Sequence, residues 1–119
     1  MLYLIGIPNC NKIKDTRSWL EEKAIPYEFI HVKKEPLSKD EISDLAHKVG
    51  TDVLVNSWGT TYRKLEIKNK NLNDDELLAL VHEHQSMLKR PILVFQDSVL
   101  VGYDEQAFEQ FAKEHELLY

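Results

Sequence analysis

The apolar positions of this chain change spacing several times, and each change marks an element. Leu2 to Ile7 reads Leu-Tyr-Leu-Ile-Gly-Ile, a nearly continuous apolar run that predicts a strand buried on both faces. Pro8-Asn9 breaks it, and from Asn11 onward Ile13, Arg17, Trp19, Leu20 and Ala24 follow a helical pattern that stops before Pro26. Cys10 therefore falls at a strand-to-helix junction. Tyr27 to Val32 predicts a second strand, parallel to the first if the helix crosses over right-handedly. Ser38-Lys39-Asp40-Glu41 has the spacing of a capping box, and Ile42, Leu45, Ala46 and Val49 supply an apolar stripe up to Gly50. Val53 to Leu65 reads as a short helix, a turn and another short helix around Gly59-Thr60-Thr61. Asn73-Asp74-Asp75-Glu76 predicts a further helix start, followed by Leu77, Leu78, Leu80, Val81 and Met87. Ile92 to Phe95 and Ser98 to Val101 flank Gln96-Asp97 at hairpin spacing. Asp104 caps a terminal helix with Ala107, Phe108, Phe111 and Ala112 inward.

The order is βαβ, a helical stretch, then ββα, which predicts an α/β fold. Its mixed sheet is thioredoxin-like, with an inserted helical subdomain at about 37–88. At 119 residues the chain is the size of one domain, expected to span 1–119. A net charge of −5 gives no general attraction to nucleic acid or to anionic lipid. The amino-terminal apolar run is too short to span a bilayer and has no basic leader, so a cytoplasmic location is expected. A single cysteine permits no internal disulfide, which fits a reducing compartment.

A cysteine at a helix start faces unpaired N–H groups and the positive end of the helix dipole. Such placement lowers a free thiol below its ordinary pKa of about 8.5, and Lys12 and Lys14 stand close in sequence. Cys10 is thus a candidate nucleophile, although a small buried hydrophobe is the commonest fate of a free cysteine. Lys14 alone is an ordinary surface residue. Arg90, before Pro91 and the third strand, could hold an oxyanion or carboxylate in bidentate fashion or form a strand-edge ion pair. Arg63 and Lys64 read either as basic groups of a cleft or as a solvated helix end. His82 and His84 would point to different helix faces, against a shared metal, and His31, His47 and His115 are isolated. No glycine-rich phosphate loop or cofactor fingerprint is present, so no bound cofactor or metal is expected.

Five landmarks in order carry a resemblance: Gly6-Ile7-Pro8-Asn9-Cys10, Trp19-Leu20, Asn56 to Leu65 (NSWGTTYRKL), Lys89-Arg90-Pro91-Ile92-Leu93, and Val101-Gly102-Tyr103. Together they resemble the ArsC/Spx family of arsenate reductase-like proteins, and within it the YffB-like ArsC-related branch, over nearly the whole chain. The resemblance implies a thioredoxin-like fold, a nucleophilic Cys10 and an anion-contacting Arg90 with Lys14 in support. It also implies a cis Arg90–Pro91 bond, where sequence alone favours trans, since only about 5–6% of X–Pro bonds are cis. Asn11, Lys12, Arg63 and Pro91 complete the expected substrate-binding set.

In the arsenate reductases of this family, the cysteine attacks arsenate, arginines hold the oxyanion, and glutathione resolves the adduct. They follow the cysteine with Gly-Thr-Ser-Arg, where this chain has Asn11-Lys12-Ile13-Lys14, and they carry arginines near Asn56 and Tyr103. Those departures point away from arsenate and toward a glutathione- or glutaredoxin-dependent thiol oxidoreductase, expected to be a monomer. Spx-type regulators instead use a Cys-x-x-Cys switch and dock on RNA polymerase. Ile13 stands at the second cysteine's place, which leaves a non-catalytic, polymerase-binding role as the alternative.

Overall fold

The computed structural model describes residues 1–118. The strands are β1 (Leu2–Gly6), β2 (Tyr27–His31), β3 (Ile92–Phe95) and β4 (Ser98–Val101); the helices are α1 (Asn11–Glu22), α2 (Lys39–Val49), α3 (Thr51–Leu54), α4 (Thr60–Lys64), α5 (Asp74–Glu83) and α6 (Glu105–Glu114). They group into two compact units. One comprises Met1–Glu35 and the stretch from Arg90 onward, and the other is Pro36–Lys89, inserted between the two halves of the first.

The first unit is a four-stranded mixed sheet in the order β2-β1-β3-β4. β1 runs parallel to β2, so α1 is the crossover, and antiparallel to β3, which forms a hairpin with β4. Phe29, Leu4, Leu93 and Leu100 are partners across the sheet and lie in one row on one face. Onto that face pack Ile13, Trp19 and Leu20 of α1 with Phe108, Phe111 and Ala112 of α6. The Phe108 ring meets Trp19 edge-on at 5.4 Å and Tyr103 at 5.3 Å. Each fully buried Leu or Phe in such a cluster contributes roughly 1.5–3 kcal/mol, so this layer fixes how α1 lies on the sheet. The fold is α/β and thioredoxin-like, as the element order predicted.

The second unit is helical. Ser38 and Asn73 form complete capping boxes with Glu41 and Glu76, starting α2 and α5 where the sequence placed them. Gln85 holds the unit's entry segment: its amide accepts from the Leu37 N–H at 2.8 Å and donates to the Leu37 carbonyl at 2.7 Å.

Two local expectations, those for Ala24 and Met87, are corrected. Ala24 lies beyond α1, exposed in a left-handed conformation with φ 56°, and the buried apolar residue there is Ile25. The buried polar position on α1 is Thr16, whose hydroxyl donates to the Lys12 carbonyl at 2.6 Å. Met87 is outside α5, which ends at Glu83; it sits in a 3₁₀ turn over Gln85–Met87 and is still buried. A second 3₁₀ turn, Ile67–Asn69, had no signal in the sequence pattern.

Candidate functional site

Cys10 occupies the N-cap of α1. Its backbone is extended (φ −98°, ψ 130°), and its carbonyl accepts the first helical hydrogen bond, from the Lys14 N–H at 3.0 Å. That geometry is the one in which Ser, Asp or Asn would bond the free amides of the first turn. Cys10 makes no such side-chain bond, and the first turn of α1 contains no acidic residue. The positive end of α1 is therefore left uncompensated, with a thiol standing at it. The thiol is half-buried and packs against the sheet–helix core.

The approach of α1 to the sheet depends on Gly6, the last residue of β1. A Cβ there would press into the Ile13 side chain, reaching Cγ1 at 2.8 Å, and would lie 4.0 Å from Cγ of Arg90. The first turn of α1 and the stem of Arg90 thus both close over the same glycine. This places Arg90 at the amino-terminal end of α1, in the same unit as Cys10. The Arg90–Pro91 bond is cis, and the Gly102 N–H donates to the Pro91 carbonyl at 2.9 Å, tying this corner to the end of β4.

Arg90 supplies the sharpest electrostatic feature. Its Nη1 is buried and has no hydrogen-bond partner among the described residues. A buried guanidinium nitrogen without an acceptor costs free energy, and an oxyanion or carboxylate seated on it removes that cost.

Of the other expected residues, Asn11, Lys12 and Lys14 lie in the first turn and a half of α1 with exposed side chains, and Pro91 is buried. Arg63 is exposed in the last turn of α4, within the inserted unit. Cys10, Asn11, Lys12 and Lys14 thus share the start of α1, and the stem of Arg90, next to Pro91, approaches Gly6 under that first turn. Gly6 is the residue whose steric role sequence reading missed; a glycine inside an apolar strand was its signal. Tyr103 closes the end of β4. Burial, then a hydrogen bond donated to Glu105 Oε2 at 3.1 Å and the charges of Glu105, Asp15 and Glu22, push its phenol pKa above the ordinary 10.0. The inserted unit has a cavity of about 310 Å³ lined by Thr51, Asp52, Val55, Ser57, Tyr62, Asp74 and Leu77. No group of three or more metal-ligating side chains occurs among the described residues, and no described helix is long and apolar enough to cross a membrane.

Comparison with known proteins shows which family this fold belongs to. Residues 5–111 match the model of the ArsC family. The chain is 33% identical over 113 residues to the global transcriptional regulator Spx of Listeria innocua serovar 6a, covering 93% of this chain and 86% of that protein. It superposes on the solved structure of the YffB protein with a TM-score of 0.88 at 30% identity, covering 92% of this chain and 97% of the other. An arsenate reductase (ArsC) related protein from Brucella melitensis gives a TM-score of 0.76 at 34% identity, covering 94% of each chain. On the match over residues 5–111 and these near-full-length likenesses, the chain belongs to the ArsC family.

Proposed function

We propose that the protein is a monothiol oxidoreductase that works with glutathione or glutaredoxin, with Cys10 as its nucleophile. The observation that carries this reading is that an uncapped cysteine-bearing helix start and the stem of Arg90 meet around Gly6, and that the Nη1 of this arginine is buried and unpartnered. Both features favour negative charge: a thiolate at the helix end, and a carboxylate of glutathione or an oxyanion on Arg90. In this reading Lys12 and Lys14, in the first turns of α1, add positive charge, and Asn11 and Pro91 complete the substrate contacts.

The chemistry is disulfide exchange. The Cys10 thiolate attacks the glutathione sulfur of a glutathionylated substrate thiol, the S–S bond breaks, the substrate leaves as a thiolate, and Cys10 is left in a mixed disulfide with glutathione. A glutathione thiolate then attacks the mixed disulfide, forming glutathione disulfide and returning Cys10 as a thiolate. An external thiol is needed because the chain has no second cysteine. Mass spectrometry after exposure to glutathione disulfide tests this directly. The expected result is one glutathione on Cys10, released by glutaredoxin, forming about tenfold more slowly in Arg90→Ala as one anchoring charge pair is lost. A protein that stays unmodified while free thiols exchange under the same conditions overturns the reading.

The similarity to Spx over 93% of the chain supports a second reading, a non-catalytic partner of RNA polymerase. Ile13, in place of the second switch cysteine, is fully buried in the core. Any such binding would run without an intramolecular disulfide, and it predicts a polymerase pull-down that survives Cys10→Ser.

A further inference from the structure

We infer that the outer side of α4 and the turn before it form a docking surface for an acidic segment of a partner protein, with Trp58 as the anchor. Trp58 is 87% exposed, unlike Trp19, which is 7% exposed in the core. An exposed indole offers apolar area that a partner can cover, and Trp and Arg are the residue types that carry most binding energy at interfaces.

The turn that presents Trp58 is fixed in place. The Asn56 N–H donates to the carbonyl of buried Met87 at 2.8 Å, and Asn56 Oδ1 accepts from the Trp58 N–H at 3.2 Å. The Gly59 N–H returns to the Asn56 carbonyl at 3.3 Å, and a Cβ on Gly59 would come within 3.0 Å of Asn56 Nδ2. A preset turn loses little conformational entropy when a partner binds.

The helix that follows divides cleanly. Thr61 and Tyr62 are half-buried, the first bonded to Ser86 at 2.9 Å and the second lining the cavity of this unit. Thr60, Arg63 and Lys64 are exposed at i, i+3 and i+4, so they share the outer side. With a rise of about 1.5 Å per residue, the basic pair stands within roughly 10 Å of the turn that carries Trp58. Arg63 and Lys64 have no ion pair or hydrogen bond from their side chains among the described residues. From Ser57 to Lys70 the chain carries Arg63, Lys64, Lys68 and Lys70 against Glu66 alone, although its net charge is −5, while Asp52 and Asp74 line the cavity beside Ser57 and Tyr62. A basic, aromatic patch on an acidic protein is complementary to a short acidic segment. A long polyanion would meet repulsion from the rest of the molecule.

The test uses the full chain and three probes: a labelled peptide with a Leu-Phe anchor flanked by Glu and Asp, the same peptide with Lys in place of the acids, and a mixed-sequence DNA duplex. Anisotropy should show salt-sensitive binding of the acidic peptide, with a blue shift of the Trp58 emission. Affinity should fall by about tenfold in Trp58→Ala and in Arg63→Glu/Lys64→Glu, and stay unchanged in the charge-matched control Lys33→Glu/Lys34→Glu. Circular dichroism confirms that each variant is folded, which exposed positions should allow. Absence of binding, equal binding of the basic peptide, an equal loss in the control, or tighter binding of the duplex through the same residues would each overturn the inference.

Discussion

The amino-terminal ends of α1 and of α2 and α5 solve the same physical problem in opposite ways. Every helix begins with amides that have no partner within the helix. α2 and α5 satisfy theirs with Ser38 and Asn73 in full capping boxes, and set Asp40 and Glu41, or Asp74, Asp75 and Glu76, against the positive end of the dipole. α1 does neither: its cap is a cysteine making no side-chain bond, and its first turn carries no acid. A polar cap is worth about 0.5–2 kcal/mol over a residue that cannot cap, so α1 forgoes stability that α2 and α5 take. The difference separates helix ends built for the fold from one whose free amides and positive potential remain open to a thiolate and an anion.

Substitutions can break or sharpen that contrast. The largest effect belongs to Cys10→Ser, which should abolish glutathione incorporation completely while leaving the melting temperature equal or slightly higher, because serine caps where cysteine does not. A clear loss of stability would mean that the sulfur is chiefly a packing group. Next comes Gly6→Ala. Its methyl group would push against Ile13 and lift the first turn of α1, costing about 1–3 kcal/mol in urea unfolding and slowing adduct formation as well. Ser38→Ala and Asn73→Ala should each cost about 1 kcal/mol in the same unfolding assay and leave the rate of Cys10 modification unchanged. The smallest effect concerns Tyr103. Its phenol pKa is raised in the folded state, so the stabilisation it gives is present below pH 10 and is lost as pH rises through the folded value. In Tyr103→Phe this share of the alkaline decline in stability should vanish, and spectrophotometric titration should lose one phenol of raised pKa.

Local rules were readable before the fold was known. The capping boxes of α2 and α5, the Asp104 cap of α6 and the apolar runs of β1 and β3 rest on neighbours in sequence, and each stands where the pattern put it. Ala24 and Met87 were misplaced because helix ends are set by tertiary packing: α1 stops so that Ile25 can turn into the core, and a 3₁₀ turn carries Met87 there after α5 has ended. The hairpin turn was located, but Gln96 holds a positive φ of 54° that nothing in its side chain advertises. At the site, Cys10 was legible from its junction position. The orphaned Nη1 of Arg90 and the steric role of Gly6 were not, since the first depends on tertiary burial and the second on how closely Ile13 of α1 packs back over the strand.

The central claim is that the α1 corner is positively charged where the thiol stands. The most direct measurement is the ratio of Cys10 alkylation rates by anionic iodoacetate and neutral iodoacetamide, set against the same ratio for free glutathione. The account predicts a higher ratio for Cys10, falling toward that of glutathione in Arg90→Ala. A ratio equal to or below that of glutathione in the native protein would contradict it.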